Sequence, residues 1–211
     1  GILAQATQGP ERWEKDIQAF EKADAETPPP ADAILFVGSS TIRRWDLAQY
    51  FPGRTLINRG FGGSQMADAV HYADRIITKY APRAVVVYAG DNDIAQGKTP
   101  ETVFNDFVAL TERIHAVLPG CPVVCLGIKP STKQWELWPV MQEANRLIAD
   151  HAAGTPLVRF VDTAPVTLGK DGKPDPALFA EDGLHLSDAG NRAWAALLEP
   201  YLAAIDHEQG K

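Results

Sequence analysis

The run Ala84-Val85-Val86-Val87-Tyr88-Ala89 constrains this chain more than any other stretch. A segment that is apolar at every position has no polar face to turn to water, so as a strand it must be covered on both sides. That places it at the centre of a parallel sheet sandwiched between helices. Around it, short β-branched runs alternate with longer segments of helical period, the pattern of an α/β chain. The reading gives five strands, at Ile34 to Val37, Thr55 to Asn58, Ala84 to Ala89, Val123 to Ile128 and Val158 to Val161. The shorter runs are expected at the sheet edges.

The helices follow from apolar spacing. Trp13, Ile17 and Phe20 share one face; so do Met66, Val70, Ala73 and Ile77, and then Val103, Phe107, Leu110, Ile114 and Leu118. Met141 to Ala153 and Ser187 to Ala204 complete the set, with Ser187 as an N-cap. Thr27-Pro28-Pro29-Pro30 closes the first helix and delivers the chain to the first strand. With 45% hydrophobic residues in a length of 211, the expectation is a single domain over 1–211. Residues 1–9 are expected to be a processed or disordered N-terminal segment.

Several partner classes are disfavoured. A formal charge of -7 provides no basic face on which a nucleic acid could release its counterions. No apolar run approaches the roughly 20 residues of a bilayer-spanning helix, so no stable membrane insertion is expected. Ala4-Gln5-Ala6 has the small-x-small form of a signal-peptidase site, and a periplasmic or secreted location is expected, with a cytoplasmic one as the alternative. Cys121 and Cys125 would sit about 13 Å apart along a strand, too far for a disulfide, and read as small core residues.

The polar residues of interest gather where strands end. Ser40, Asn58 to Gly63, Gly90 to Asp93 and Lys129 each follow a strand, at the sheet edge where ligands bind in open α/β folds. Ser40 can attack a carbonyl, His185 can take its proton, and Asp182, three residues before that histidine, can fix its tautomer. The glycine-rich turn Asn58-Arg59-Gly60-Phe61-Gly62-Gly63 lets backbone N–H groups approach an oxyanion, with Gly63 the chosen donor. Asn92 can add a side-chain N–H, and the Ser40 backbone N–H at a helix start a third. Asp91 and Asp93 read as hydrogen-bonding supports rather than a metal pair. The chain lacks both a G-x-G-x-x-G fingerprint and a G-x-S-x-G elbow, which disfavours nucleotide binding and the α/β-hydrolase family. His71, His115, His151 and His207 read as surface or half-buried helix residues.

Four blocks in order resemble those of the SGNH hydrolases, also called GDSL-type lipases and esterases. They are Gly38-Ser39-Ser40-Thr41-Ile42, Asn58 to Gly63, Gly90-Asp91-Asn92-Asp93 and Asp182-Gly183-Leu184-His185. The resemblance covers nearly the whole chain. It implies a three-layer α/β/α flavodoxin-like sandwich with a central five-stranded parallel sheet, hydrolysis of a small-molecule ester or thioester, and neither metal nor cofactor. Within the superfamily the chain looks similar to the platelet-activating-factor acetylhydrolase α-subunit group, whose members favour short acyl groups. One departure is Ser39, where the superfamily usually has Asp. Two adjacent serines result, and the block alignment selects Ser40.

The expectation is therefore a serine esterase acting on small or short-acyl esters. A lysophospholipase or thioesterase with the same triad, and a noncatalytic carbohydrate-binding module, are the alternatives. Trp135, Trp138 and Phe61 either wall the site or anchor their loops to the core.

Overall fold

The computed structural model describes residues 9–211, so the expectation of a signal-peptidase site falls outside the described residues. Along the chain the elements are α1 (Glu14–Glu26), β1 (Ile34–Gly38), α2 (Ser40–Arg43), α3 (Leu47–Tyr50), β2 (Leu56–Gly60), α4 (Met66–Ile76) and β3 (Ala84–Tyr88). There follow α5 (Asp91–Ala95), α6 (Pro100–Val117), β4 (Val123–Leu126), α7 (Trp138–Ala153), β5 (Val158–Val161), α8 (Ala164–Thr167) and α9 (Asp188–Glu208). Among these residues five strands form one parallel sheet in the order β2-β1-β3-β4-β5, the flavodoxin-like arrangement. The apolar run from Ala84 to Tyr88 is its central strand.

Strand alternation sorts the side chains into two cores. Leu35, Val37, Val85, Val87, Val123 and Cys125 point to one face, where they meet Ile17 of α1, Met66 and Ala73 of α4, Phe107 and Leu110 of α6 and Ile148 of α7. Their neighbours Ile34, Phe36, Val86, Tyr88 and Val124 point the other way, onto Ile42, Trp45, Leu47, and Trp194, Leu198 and Ile205 of α9. Every residue of β1 and β3 is buried, which is what two covered faces require. Both cysteine thiols are free and sit in this packing, and burial pushes each up to about 12, so they behave as small hydrophobes.

Strand and helix ends differ from the sequence reading in places, each for a local reason. β2 starts at Leu56 and runs on to Gly60, because parallel pairing carries the register from Ile34↔Leu56 to Gly38↔Gly60 past the last apolar residue. β3 stops at Tyr88, one residue short of Ala89, since Gly90 with φ 122 turns the chain into α5. β4 stops at Leu126 rather than Ile128. There the Asn145 side chain takes over the backbone, accepting from Ile128 N at 2.8 Å and donating to Ile128 O at 3.0 Å. α7 begins at Trp138, a turn ahead of Met141, with Pro139 in its first turn. At α9 the expected cap is present, Ser187 Oγ accepting from Gly190 N at 3.2 Å.

Two features fix the C-terminal edge of the sheet. Gly38 has φ 149, and a Cβ there would lie 1.8 Å from Tyr88 O, so β1 meets β3 too closely for any side chain. On the far side, Trp194 is fully buried against Tyr88 and its indole N–H donates to Thr167 Oγ1 at 3.0 Å, tying α9 to α8 and to the sheet. No helix among the described residues is long and apolar enough to cross a membrane. Gly38→Ala is expected to cost about 4 kcal/mol or more, as overpacking against backbone that cannot yield. Urea denaturation followed by circular dichroism would read this; a loss under about 1 kcal/mol contradicts the close approach.

Candidate active site

The residues that carry chemistry come from separate loops at one sheet edge. Ser40 opens α2 directly after β1, and its Oγ lies 2.9 Å from His185 Nε2. His185 Nδ1 lies 2.5 Å from Asp182 Oδ2. A carboxylate only accepts, so Nδ1 carries the proton and, in the neutral ring, Nε2 is the lone pair facing the Ser40 hydroxyl. The tautomer is thus set by Asp182.

The Asp182 to His185 segment is a self-bonded turn. Leu184 N and His185 N both donate to Asp182 Oδ1 at 2.9 Å, while Gly183, at φ 65, lets the chain reverse between them. The His185 imidazole first, and the Leu184 N–H next, hold the Asp182 carboxyl well below the usual carboxylate range. Arg44 adds a looser contact to the same carboxylate at 3.9 Å. The loop after β4 braces this turn, with Lys133 N donating to Gly183 O at 3.0 Å.

The glycine turn and the Asn92 loop are tied to the serine block. Phe61 N and Ser64 Oγ both donate to Gly38 O, at 3.0 and 3.2 Å. Asn58 Nδ2 donates to Ile42 O at 2.8 Å and Trp45 O at 3.2 Å, clamping the four-residue α2 to β2. Asn92 Nδ2 spends one proton on Ser64 O at 3.2 Å, leaving the other available. Gly63 is exposed, a Cβ built on it would be 3.8 Å from Asn92 Nδ2, and its N–H makes no hydrogen bond among the described residues. A backbone donor and a side-chain donor therefore adjoin. At four residues α2 is too short for much of a dipole, so any help from Ser40 N rests on that N–H alone.

The supporting aspartates act as the sequence reading expects. Asp93 is fully buried and takes Met66 N at 3.1 Å, joining the Asn92 loop to the start of α4. Burial pushes its carboxyl up to about 6, against the pull of that N–H. Asp91 is also buried, where desolvation pushes its carboxyl up, but the Lys129 ammonium at 3.0 Å and the Asn92 N–H outweigh this and hold it below its ordinary value. Among the described residues no group of three or more His, Cys, Asp or Glu side chains could hold a metal ion.

The structure separates the two serines. Ser39 is 1% exposed and its hydroxyl has no hydrogen-bond partner among the described residues, whereas Ser40 is half-buried against His185. The aromatic residues fall on the anchoring side. Phe61 is 1% exposed and packs edge-on against Trp13 and Tyr72, with centroids 5.9 and 6.3 Å away. Trp138 is buried with Ile94, Val103, Ile128 and Met141, and Trp135 packs partly buried against the same cluster. Sequence reasoning put Lys129 at a strand end but gave it no role. Its one available signal was a lone cation closing the apolar stretch Val123 to Ile128.

Comparison with known proteins fits this geometry. The model of the GDSL-like lipase/acylhydrolase family matches residues 37–193, a span from the end of β1 to the start of α9. No curated protein matches in sequence. Among solved structures, one from Streptococcus pneumonia named for platelet activating factor is 24% identical, with TM-score 0.81 and coverage of 90% of this chain and 93% of its own. A GDSL-like lipase from Bacteroides thetaiotaomicron is 20% identical, with TM-score 0.74 and coverages of 92% and 98%. An acetyl-xylooligosaccharide esterase from Geobacillus is 17% identical, with TM-score 0.66 and coverages of 84% and 95%.

Two measurements test this description. Ser39→Ala removes a buried hydroxyl without a partner and is expected to leave stability unchanged or raise it by about 1 kcal/mol, with ester hydrolysis intact. A large loss of either would mean that Ser39 is engaged. Asp93 protonates near pH 6 in the folded chain, above its ordinary 3.8, so its stabilising contribution is complete below about pH 4 and is lost as pH rises through 6. Asp93→Asn keeps the acceptor for Met66 N and removes that dependence. Its stability relative to wild type is expected to be about 2–3 kcal/mol more favourable at pH 8 than at pH 4, by urea titration; equal differences at both pH values would refute the buried ionisation.

Proposed function

The chain belongs to the GDSL-like lipase/acylhydrolase family, and from that premise we propose that it is a serine esterase cleaving small, short-acyl esters through an acyl-enzyme on Ser40. The observation that carries the reading is the continuous hydrogen-bonded chain from Ser40 Oγ through the His185 ring to Asp182.

In this mechanism Ser40 Oγ attacks the ester carbonyl carbon while its proton passes to His185 Nε2. The imidazolium that forms faces the Asp182 carboxylate, whose low proton affinity keeps it ionised beside that charge. The oxyanion is met by Gly63 N–H and the free Asn92 Nδ2 proton, fixed donors that need little reorganisation. Collapse of the tetrahedral species breaks the bond to the alkoxy oxygen, which leaves as an alcohol with the His185 proton. Water then gives a proton to Nε2 and attacks the acyl carbon. The carboxylic acid departs, and Ser40 takes back its hydrogen from His185.

Support for a short acyl group comes from where the aromatic side chains are spent. Phe61 and Trp138, two of the aromatic residues that could have walled the site, are packed into the core and build no acyl groove. The likeness to an acetyl-xylooligosaccharide esterase points in the same direction.

Hydrolysis of p-nitrophenyl acetate, butyrate and octanoate by the wild type, Ser40→Ala, His185→Ala and the double variant tests the proposal. Acetate is expected to be preferred. Each single variant is expected to lose about 10⁴-fold or more, and the double scarcely more, because nucleophile and base act as one unit. Retained turnover in Ser40→Ala would sink the mechanism. Preference for octanoate would replace the short-acyl reading with a lysophospholipase or thioesterase.

A further inference from the structure

Lys129 is 1% exposed, in a position where a lysine has to be fully paired to be tolerated. Its ammonium donates to Thr41 Oγ1 at 3.0 Å, Tyr88 Oη at 3.2 Å and Asp91 Oδ2 at 3.0 Å. Tyr88 Oη also donates to Asp91 Oδ2 and accepts from Lys129 N, both at 3.2 Å, so the cluster closes on itself. An ammonium has three protons, and here all three are used. None is left for a substrate.

The partners are placed where they matter. Thr41 adjoins Ser40, Asp91 adjoins Asn92, and Tyr88 ends the central strand between the two loops. Neither loop holds its own geometry: α2 and α5 are four and five residues long, too short to persist without tertiary support. A buried ion pair is seldom needed for stability, since apolar residues of like volume often do as well. What apolar packing does not supply is direction, and three charge-assisted or hydroxyl bonds from one nitrogen do.

We propose that Lys129 is a positioning residue, which holds the Ser40 helix and the Asn92 loop at the spacing ester attack requires by bonding Thr41 and Asp91 at once. This rests on the esterase reading above. Lys129 acts through its neighbours and touches no reacting atom. Its loss misplaces the nucleophile against the oxyanion donor, which lowers the chemical step while leaving ground-state binding nearly unchanged.

The test compares wild type, Lys129→Met, the charge-balanced Lys129→Met/Asp91→Asn and Thr41→Val for urea stability, p-nitrophenyl acetate kinetics and rate of labelling by a fluorophosphonate. Lys129→Met strands a buried carboxylate and is expected to be strongly destabilised, so the other two carry the decision. The double variant is expected to recover most of its stability yet remain about 10- to 100-fold low in kcat, with KM within about twofold and labelling slowed in parallel. Thr41→Val leaves one buried ammonium proton unpaired, so it is expected to lose part of its stability while remaining folded, and to lose several-fold in kcat with KM unchanged. Recovery of kcat together with stability in the double variant, or wild-type kcat in Thr41→Val, overturns the proposal. If the double variant does not fold, Thr41→Val alone decides. Failure of the wild type to hydrolyse or label would instead reject the esterase reading, so the two failures are told apart.

Discussion

A parallel sheet buried on both faces leaves no strand residue free for chemistry, and the rest of this structure follows from that constraint. In β1 and β3 alternate side chains are committed to opposite cores, so polar groups can be presented only where strands end. The C-terminal edge collects Ser40, Gly63, Asn92 and Lys129, and the loop before α9 brings His185 to the same edge. The tight approach of Gly38 to Tyr88 O draws the serine block and the Asn92 loop together. The loop after β4 holds the histidine turn there, Lys133 N donating to Gly183 O.

Charge is handled in two ways at this edge. Asp182 and His185 lie half-open to solvent, where a tautomer can be fixed and an imidazolium can form and discharge. Lys129 and Asp91 lie behind them in full burial, every ammonium proton committed. The outer pair is open to exchange with solvent and the inner one is closed to it. Asp93 is a third case, a carboxylate in apolar surroundings whose main contact is one backbone N–H, and burial raises its proton affinity accordingly.

Much of this was legible in the chain itself. The continuous apolar run at Ala84 to Tyr88 reads as a central strand because no other environment suits it. The Asp182 to His185 turn reads as an orienter and base because its bonds span three residues and depend on little else. Strand ends were less accessible. β4 keeps its last ladder bond at Gly127 and gives up at Ile128, because Asn145, 17 residues away, takes that backbone, and no local pattern announces such a competitor.

What the sequence determines alone is therefore whatever depends on period and short-range chemistry: the α/β class, the order of elements, and the loops that hold Ser40, Asp182 and His185. Tertiary structure decides which way each side chain faces. Ser39 and Ser40 are chemically alike, and only the placement of His185, 145 residues away, distinguishes them. Phe61 and Trp138 were equally suited to site and core until their neighbours enclosed them. The bond from Lys129 to Thr41 spans 88 residues. Its cause is desolvation: a cation carried into the interior by the segment after β4 must find acceptors there, and those acceptors belong to parts of the chain that meet only when the sheet is complete.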